Sequence, residues 1–130
     1  MKKVEVVAAV IEQDGKILAV RRGVSKLPYI SQKWEFPGGK IEAGETEEQT
    51  IVREIREELH MGIHPKKKLL TVEHTYPDFH LTMHTYLCKT ETSTPTLTEH
   101  IEFKWLLLAE LDELDWAEAD VPIVNFLVKK

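Results

Sequence analysis

A single cysteine, Cys88, stands among the 130 residues, so no internal disulfide can form and a stapled secreted scaffold is excluded. Cys88 falls in an apolar, strand-like run, where a buried inert thiol is expected and a nucleophile is not. No apolar run approaches the ~18 residues that a membrane span requires. The start, Met1-Lys2-Lys3-Val4-Glu5, lacks the apolar stretch and cleavage site of a signal peptide. The expectation is a cytoplasmic protein with no membrane partner. Positive charge is outnumbered, 17 Lys and Arg against 22 Asp and Glu, and the net charge of −5 argues against a binder of nucleic-acid polymers, which neutralise phosphates with basic patches. The one basic run, Lys66-Lys67-Lys68, reads as a solvated loop between a helix and a strand. Low-complexity segments and internal repeats are missing as well. A composition of 42% apolar and 30% charged residues over this length fits one domain with its own core. Oligomeric state is not legible in it.

What the chain does have is concentrated between Gly38 and Glu58. Ala43-Gly44-Glu45 reads as a turn, Thr46 as a helix N-cap, and Gln49 three residues on completes a capping box. Glu47 and Glu48 then fall in the first turn, where the helix dipole favours negative charge. Ile51, Ile55 and Leu59 recur every four residues, with Val52 beside them, and supply a stripe to bury. On the same helix Glu54, Glu57 and Glu58 stand at i, i+3 and i+4, so three carboxylates crowd about one turn. Each like-charged i, i+4 pair costs about 0.2–0.5 kcal/mol, and crowding raises carboxyl pKa values unless a cation compensates. Arg53 and Glu57 form an i, i+4 pair that offsets part of this. Hard divalent ions such as Mg²⁺ prefer carboxylate oxygens and leave positions for water and phosphate, so the pattern points to a metal site for pyrophosphate chemistry.

Elsewhere the pattern alternates between strands and two helices. Val4 to Glu12 and Ile17 to Arg21 read as strands joined by a Gln13-Asp14-Gly15-Lys16 hairpin turn. Trp34-Glu35-Phe36 is a short strand stopped by Pro37. Leu69 to Tyr76 and Leu81 to Lys89 read as another strand pair about a Pro77-Asp78 turn, followed by a Thr/Ser-rich connection from Thr90 to Thr98. Glu102 to Leu107 is a further strand and Ala109 to Leu114 a short helix. A closing helix over Asp120 to Val128 takes Asp120 as N-cap, with Pro122 in its first turn. Such interleaving implies an α/β class with helices on both faces of a sheet. His74, His80 and His84 alternate in the strand pair without any recognised zinc spacing.

The run Gly39, five residues, Glu45, seven residues, Arg53-Glu54-Ile55-Arg56-Glu57-Glu58 resembles the signature of the Nudix hydrolases. One departure stands out: the family pattern continues with a residue and then Gly, whereas Leu59 is followed here by His60 and Met61, and Gly62 comes two places late. The helix is therefore expected to close differently or one turn later, with the chemistry intact. Arg21-Arg22, the stretch from Trp34 through Glu42, Tyr76-Pro77-Asp78 with His80, and Ala119-Asp120-Val121-Pro122 are similar to the MutT branch, the housecleaning pyrophosphohydrolases. The likeness covers nearly the full length.

What the resemblance implies is a single Nudix domain over residues 1–130, an α/β/α sandwich with a mixed, strongly curved sheet, hydrolysing a nucleoside triphosphate with Mg²⁺, for which Mn²⁺ substitutes. It would assign the Gly38 carbonyl, Glu54, Glu57 and Glu58 to the metals. Glu54 doubles as candidate general base, although Nudix enzymes differ in that choice, and Glu45 and Arg53 are a supporting pair. A further ligand from outside the helix would be Glu99, six residues before Trp105, with Glu102 as its rival. Arg22 and Lys40 look like phosphate contacts, and Val4, Val6, Phe36 and Phe79 like walls of a base pocket. Relatives specific for 8-oxo-dGTP carry asparagine where Asp120 stands, and an ionised Asp120 would accept only, which suits the exocyclic amine of a (d)CTP or modified pyrimidine nucleotide. The rival readings are a nucleotide- or ADP-ribose-binding module without hydrolysis, and a nucleoside-diphosphate-sugar hydrolase. Retention of Glu45, Glu54, Glu57 and Glu58 favours catalysis.

Overall fold

The computed structural model describes residues 1–129. Strand β1 (Lys2–Gln13) and strand β2 (Lys16–Arg22) form the expected hairpin. Asp14 and Gly15 at its tip both adopt left-handed φ, 53° and 78°, as a tight primed turn requires. The two strands pair at Glu12↔Ile17 and Gln13↔Lys16 and then part. The wedge between them is filled from both sides: β3 (Trp34–Glu35) pairs with β2, and β4 (Gly38–Lys40) pairs with β1. Between β3 and β4, the Pro37 carbonyl accepts the Ala9 N–H at 2.8 Å. The free edge of β1 runs parallel to β6 (Phe79–Thr90), from Lys2↔Phe79 to Glu12↔Lys89. Strand β5 (Ile63–Thr75) lies antiparallel outside β6, and β7 (His100–Leu106) lies antiparallel on β2. The result is a mixed seven-stranded sheet in a single α/β domain, as expected.

Parallel pairing buries β1 on both faces, and Val7 through Ile11 are all buried. Their alternation divides the core. Val7, Ala9 and Ile11 pack with Ile51, Ile55 and Leu59 of helix α1 (Glu47–Leu59), while Ala8 and Val10 share the other layer with Phe36, Trp116 and Ile123, Val124 and Leu127 of helix α2 (Val121–Val128). The expected capping box at Thr46 and Gln49 is present.

Three boundaries differ from the sequence reading. Strand β5 begins at Ile63, so Lys66-Lys67-Lys68 is no loop. It lies on a sheet edge broken by register shifts at Pro65/Lys67 and Lys68/Leu70, a place that tolerates proline and in which lysines block edge pairing. The short helix after β7 is a 3₁₀ turn, Leu108–Glu113. Asp120 precedes α2 but makes no side-chain cap, because its carboxylate is engaged elsewhere.

Helix α1 neither runs on nor changes its exit: it ends at Leu59, and His60, at the place of the missing glycine, adopts the left-handed conformation itself (φ 54°, ψ 38°). Its N–H closes onto the Arg56 carbonyl at 3.1 Å. A side chain in that region is strained by roughly 1 kcal/mol relative to glycine. His60→Gly is therefore expected to raise the stability measured by urea unfolding by about 0.5–1 kcal/mol, with turnover unchanged; a loss of stability would contradict this account of the helix end.

Candidate active site

The wedge and the middle of α1 are joined through glycine. A Cβ on Gly38 would meet the Val7 carbonyl oxygen at 1.9 Å, and one on Gly39 would lie 2.3 Å from the Glu54 carboxylate. Only bare backbone lets β4 lie this close to both β1 and the helix. Behind Glu54, Arg53 acts as a hub. It grips Glu45 with two bonds, Nε to Oε2 at 2.6 Å and Nη2 to Oε1 at 2.9 Å, and reaches Glu54 at 3.1 Å, Glu57 at 3.0 Å and the Lys40 carbonyl at 3.1 Å. Glu45 in turn accepts from the Thr50 hydroxyl and the Glu42 N–H. The Arg53 bonds hold the Glu45 carboxyl down at about 2, and the same contacts push the guanidinium further up.

Glu58 is the opposite case, 8% exposed. Burial first, then a hydrogen bond with Glu54 and the charges of Glu54, Glu99 and Glu35, push its carboxyl up to about 9. The segment before β7 delivers Glu99 by tying down the C-terminal carbonyls of α1, with Thr98 Oγ1 donating to Glu58 O and Thr96 N to Leu59 O, both at 2.9 Å. The rival Glu102 is engaged by Arg21 at 3.3 Å and lies off the cavity.

Along the wedge runs a cavity of ≈ 820 Å³, within the range of about 300–1,000 Å³ usual for small-molecule sites. Its lining combines the polar positions Gly38, Lys40, Glu58, Glu99, Arg22 and Asp120 with Phe36, Phe79, Tyr76, Val4 and Val6. Phe36 stacks on Trp116 (centroids 4.7 Å) and Tyr76 on Tyr29 (4.9 Å), which holds these aromatic rings of the lining in fixed orientations. The Tyr29 hydroxyl also donates to Asp78, which fastens the loop after β2 to the β5–β6 turn. Asp120 Oδ1 accepts the Phe36 N–H at 3.0 Å. Burial and the Glu35 charge hold the Asp120 carboxyl well above its usual range, against the Phe36 N–H and Arg22. This environment works against the ionised, accept-only form expected from the sequence, and the protonated acid would both donate and accept.

The sequence-predicted residues thus separate into three groups. Gly38, Glu58, Glu99, Arg22, Lys40, Phe36, Phe79 and Asp120 meet at the cavity; Glu54 abuts its glycine turn; and Glu45 and Arg53 stand behind. Glu57 does not join Glu58. It is held by Arg53, with a side chain 60% exposed. Among the described residues no three His, Cys, Asp or Glu side chains are grouped as ligands of one ion. The Glu54 and Glu58 carboxyls are hard oxygens that interact strongly enough for Glu54 to help push Glu58 up, a chemistry that suits a hard divalent cation. Glu35, His100 and Tyr76, which also line the cavity, were assigned no role from the sequence. The available signal was an acid between two aromatics, Trp34-Glu35-Phe36. His80 and His84 pair with Glu73 and Glu5 on the sheet, and Cys88 is buried with its thiol pushed up to about 12 by that burial.

Comparison with known proteins places the chain among relatives of like length. The NUDIX domain model matches residues 1–126. An 8-oxo-dGTP diphosphatase of Escherichia coli is 33% identical over 126 residues, 95% of each chain. A CTP pyrophosphohydrolase of the same organism is 34% identical over 140 residues, 96% of this chain and 91% of its own. The solution structure of a MutT protein of the Nudix hydrolase family from Staphylococcus aureus superimposes with a TM-score of 0.75 at 42% identity, covering 99% of this chain and 98% of that one.

The Arg53 hub has a direct readout in acid. Glu45 ordinarily titrates near 4.5 and here near 2, so the stability it contributes is complete above pH 4.5 and is lost as pH falls toward 2. Arg53→Gln is expected to unfold at lower urea above pH 4.5 and to show a shallower fall between pH 4.5 and 2 than the unmodified protein. Parallel curves over that window would remove Arg53 as the cause.

Proposed function

The chain belongs to the NUDIX family, and on that footing we propose that it is a nucleoside triphosphate pyrophosphohydrolase, converting NTP and water to NMP and pyrophosphate. Nudix hydrolases generally use divalent metal ions; we assign Mg²⁺ here, with Mn²⁺ able to substitute. One observation carries the reading: Glu58, whose carboxyl Glu54 helps to push up, shares the lining of a cavity of ≈ 820 Å³ with Glu99, Arg22, Lys40, Phe36, Phe79 and Asp120.

Glu54, Glu58, Glu99 and the Gly38 carbonyl would hold the ions, joined by Glu57 when it leaves Arg53. When bound, the ions screen the phosphate charges and acidify the attacking water. Glu54 accepts the proton of that water as its oxygen bonds to phosphorus and the linkage between the α and β phosphorus atoms breaks. Arg22 and Lys40 hold phosphate oxygens, and Glu45 and Arg53 fix the helix that carries Glu54. Phe36 and Phe79 sandwich the base. Protonated, Asp120 would offer one donor and one acceptor to an oxidised guanine as in 8-oxo-dGTP; ionised, it would accept from the amine of (d)CTP or a modified pyrimidine, and 8-oxo-dGTP and CTP are the substrates that name the two E. coli relatives. The lone buried Cys88 fits a reducing compartment, and we place the enzyme in the cytoplasm.

The test is a Mg²⁺-dependent panel of CTP, dCTP, 8-oxo-dGTP, the common triphosphates, ADP-ribose and nucleoside-diphosphate sugars, following pyrophosphate against orthophosphate. Pyrophosphate release from a triphosphate, abolished by EDTA, is expected. Glu58→Gln is expected to lower kcat by about 10²-fold or more while the protein stays folded. Tight nucleotide binding with no turnover would favour the binding module, and turnover confined to the sugar nucleotides would favour the other rival.

A further inference from the structure

One pair in the cavity wall is left over by this chemistry. Glu35 Oε2 accepts from His100 Nε2 at 2.9 Å, and Glu35 Oε1 lies 3.3 Å from Arg22 Nη1. The His100 side chain is only 5% exposed. Its Nδ1 is buried and has no hydrogen-bond partner among the described residues. In the tautomer that gives its Nε2 hydrogen to Glu35, Nδ1 is an acceptor that cannot serve a phosphate oxygen, which has no hydrogen to give. A buried polar atom left so is costly, and a ligand hydroxyl that reaches it recovers that cost.

The position of the pair indicates which hydroxyl. Glu35 directly precedes Phe36, whose N–H holds Asp120, and His100 directly follows Glu99. All of these line the cavity. Strand pairing sets His100 opposite Arg22. The pair is thus flanked by Phe36, assigned to the base, and by Glu99 and Arg22, assigned to the metals and phosphates, as the sugar of a nucleotide is flanked by its base and its phosphates. We propose that His100 Nδ1 accepts a hydrogen bond from the 2′- or 3′-hydroxyl of the substrate's sugar, with Glu35 as the positioning residue that fixes the ring and its tautomer. The proposal rests on the triphosphate reading above.

The experiment measures kcat and KM on CTP, dCTP and 2′,3′-dideoxy-CTP, together with calorimetric affinities for the same three with Mg²⁺. The unmodified protein should lose about tenfold in kcat/KM, mostly through KM, when the engaged hydroxyl is removed. A loss from CTP to dCTP identifies the 2′-hydroxyl, and one from dCTP to the dideoxy form the 3′-hydroxyl. His100→Phe, which keeps the ring volume without a nitrogen, should treat all three alike, and His100→Ala repeats the test should the larger ring fail to fold. Glu35→Gln, whose amide oxygen still accepts from Nε2, should keep most of the step, whereas Glu35→Leu should not. Equal handling of the three sugars by the unmodified protein, or an undiminished step in the His100 variants, overturns the proposal. Should the panel above select 8-oxo-dGTP, the series is run on 8-oxo-GTP, 8-oxo-dGTP and its 2′,3′-dideoxy form; absence of pyrophosphate from every triphosphate would strike the hydrolase reading while the affinities still decide the sugar contact, and failure to bind any member of either series overturns both.

Discussion

Two carboxyl groups forced together, one of them out of water, set the terms for everything around them. On an exposed helix the Glu54–Glu58 repulsion would cost only about 0.2–0.5 kcal/mol. Burial changes the scale, and Glu58 is driven up to about 9. Arg53 does not relieve this, because its guanidinium is committed to Glu45 and shared with Glu54 and Glu57. One positive group among four signature acids leaves the inner pair to share a proton or to take a cation. A hard divalent ion answers that demand and also answers the charge of a triphosphate.

The backbone exists in a form that makes this crowding accessible to a ligand. β1 and β2 part beyond their hairpin, β3 and β4 enter the gap, and the glycine pair lets the helix close down on β4. The same insertion carries Glu35 and Phe36 into the cavity wall. From the far side Thr96 and Thr98 tie the 91–99 segment to the end of α1, so that Glu99 and His100 arrive from a remote part of the chain. Charge and stacking surface thus line one space, with the buried, unpartnered ring nitrogen of His100 in its wall.

Local rules made the helix and its hairpin legible: the capping box at Thr46, the Ile51/Ile55/Leu59 stripe and the Asp14-Gly15 tip all appear where spacing put them. The start of β5 was not legible, because Pro65 and three lysines look like loop chemistry and are tolerated only on an edge with register shifts, a fact of sheet order. The β1–β6 parallel pairing joins residues more than seventy apart and leaves no local trace. In the site, the signature acids could be named from spacing, but not their states. Arg53 turns Glu57 outward, and burial beside Glu35 alters Asp120, each through contacts that spacing does not encode. His100 escaped notice because a lone histidine after Glu99 acquires meaning only when Glu35 is seen at 2.9 Å.

The most direct measurement follows the amide spectrum of the isotope-labelled protein during titration with Mn²⁺ in place of Mg²⁺, since the paramagnetic ion broadens resonances within its immediate surroundings. The account predicts that broadening starts at Gly38, Gly39, Glu54, Glu58 and the Thr98–Glu99 stretch, and that Mg²⁺ reverses it. Broadening centred on the histidines of the β5–β6 face, or none below the concentrations at which any acidic surface collects ions, would contradict it.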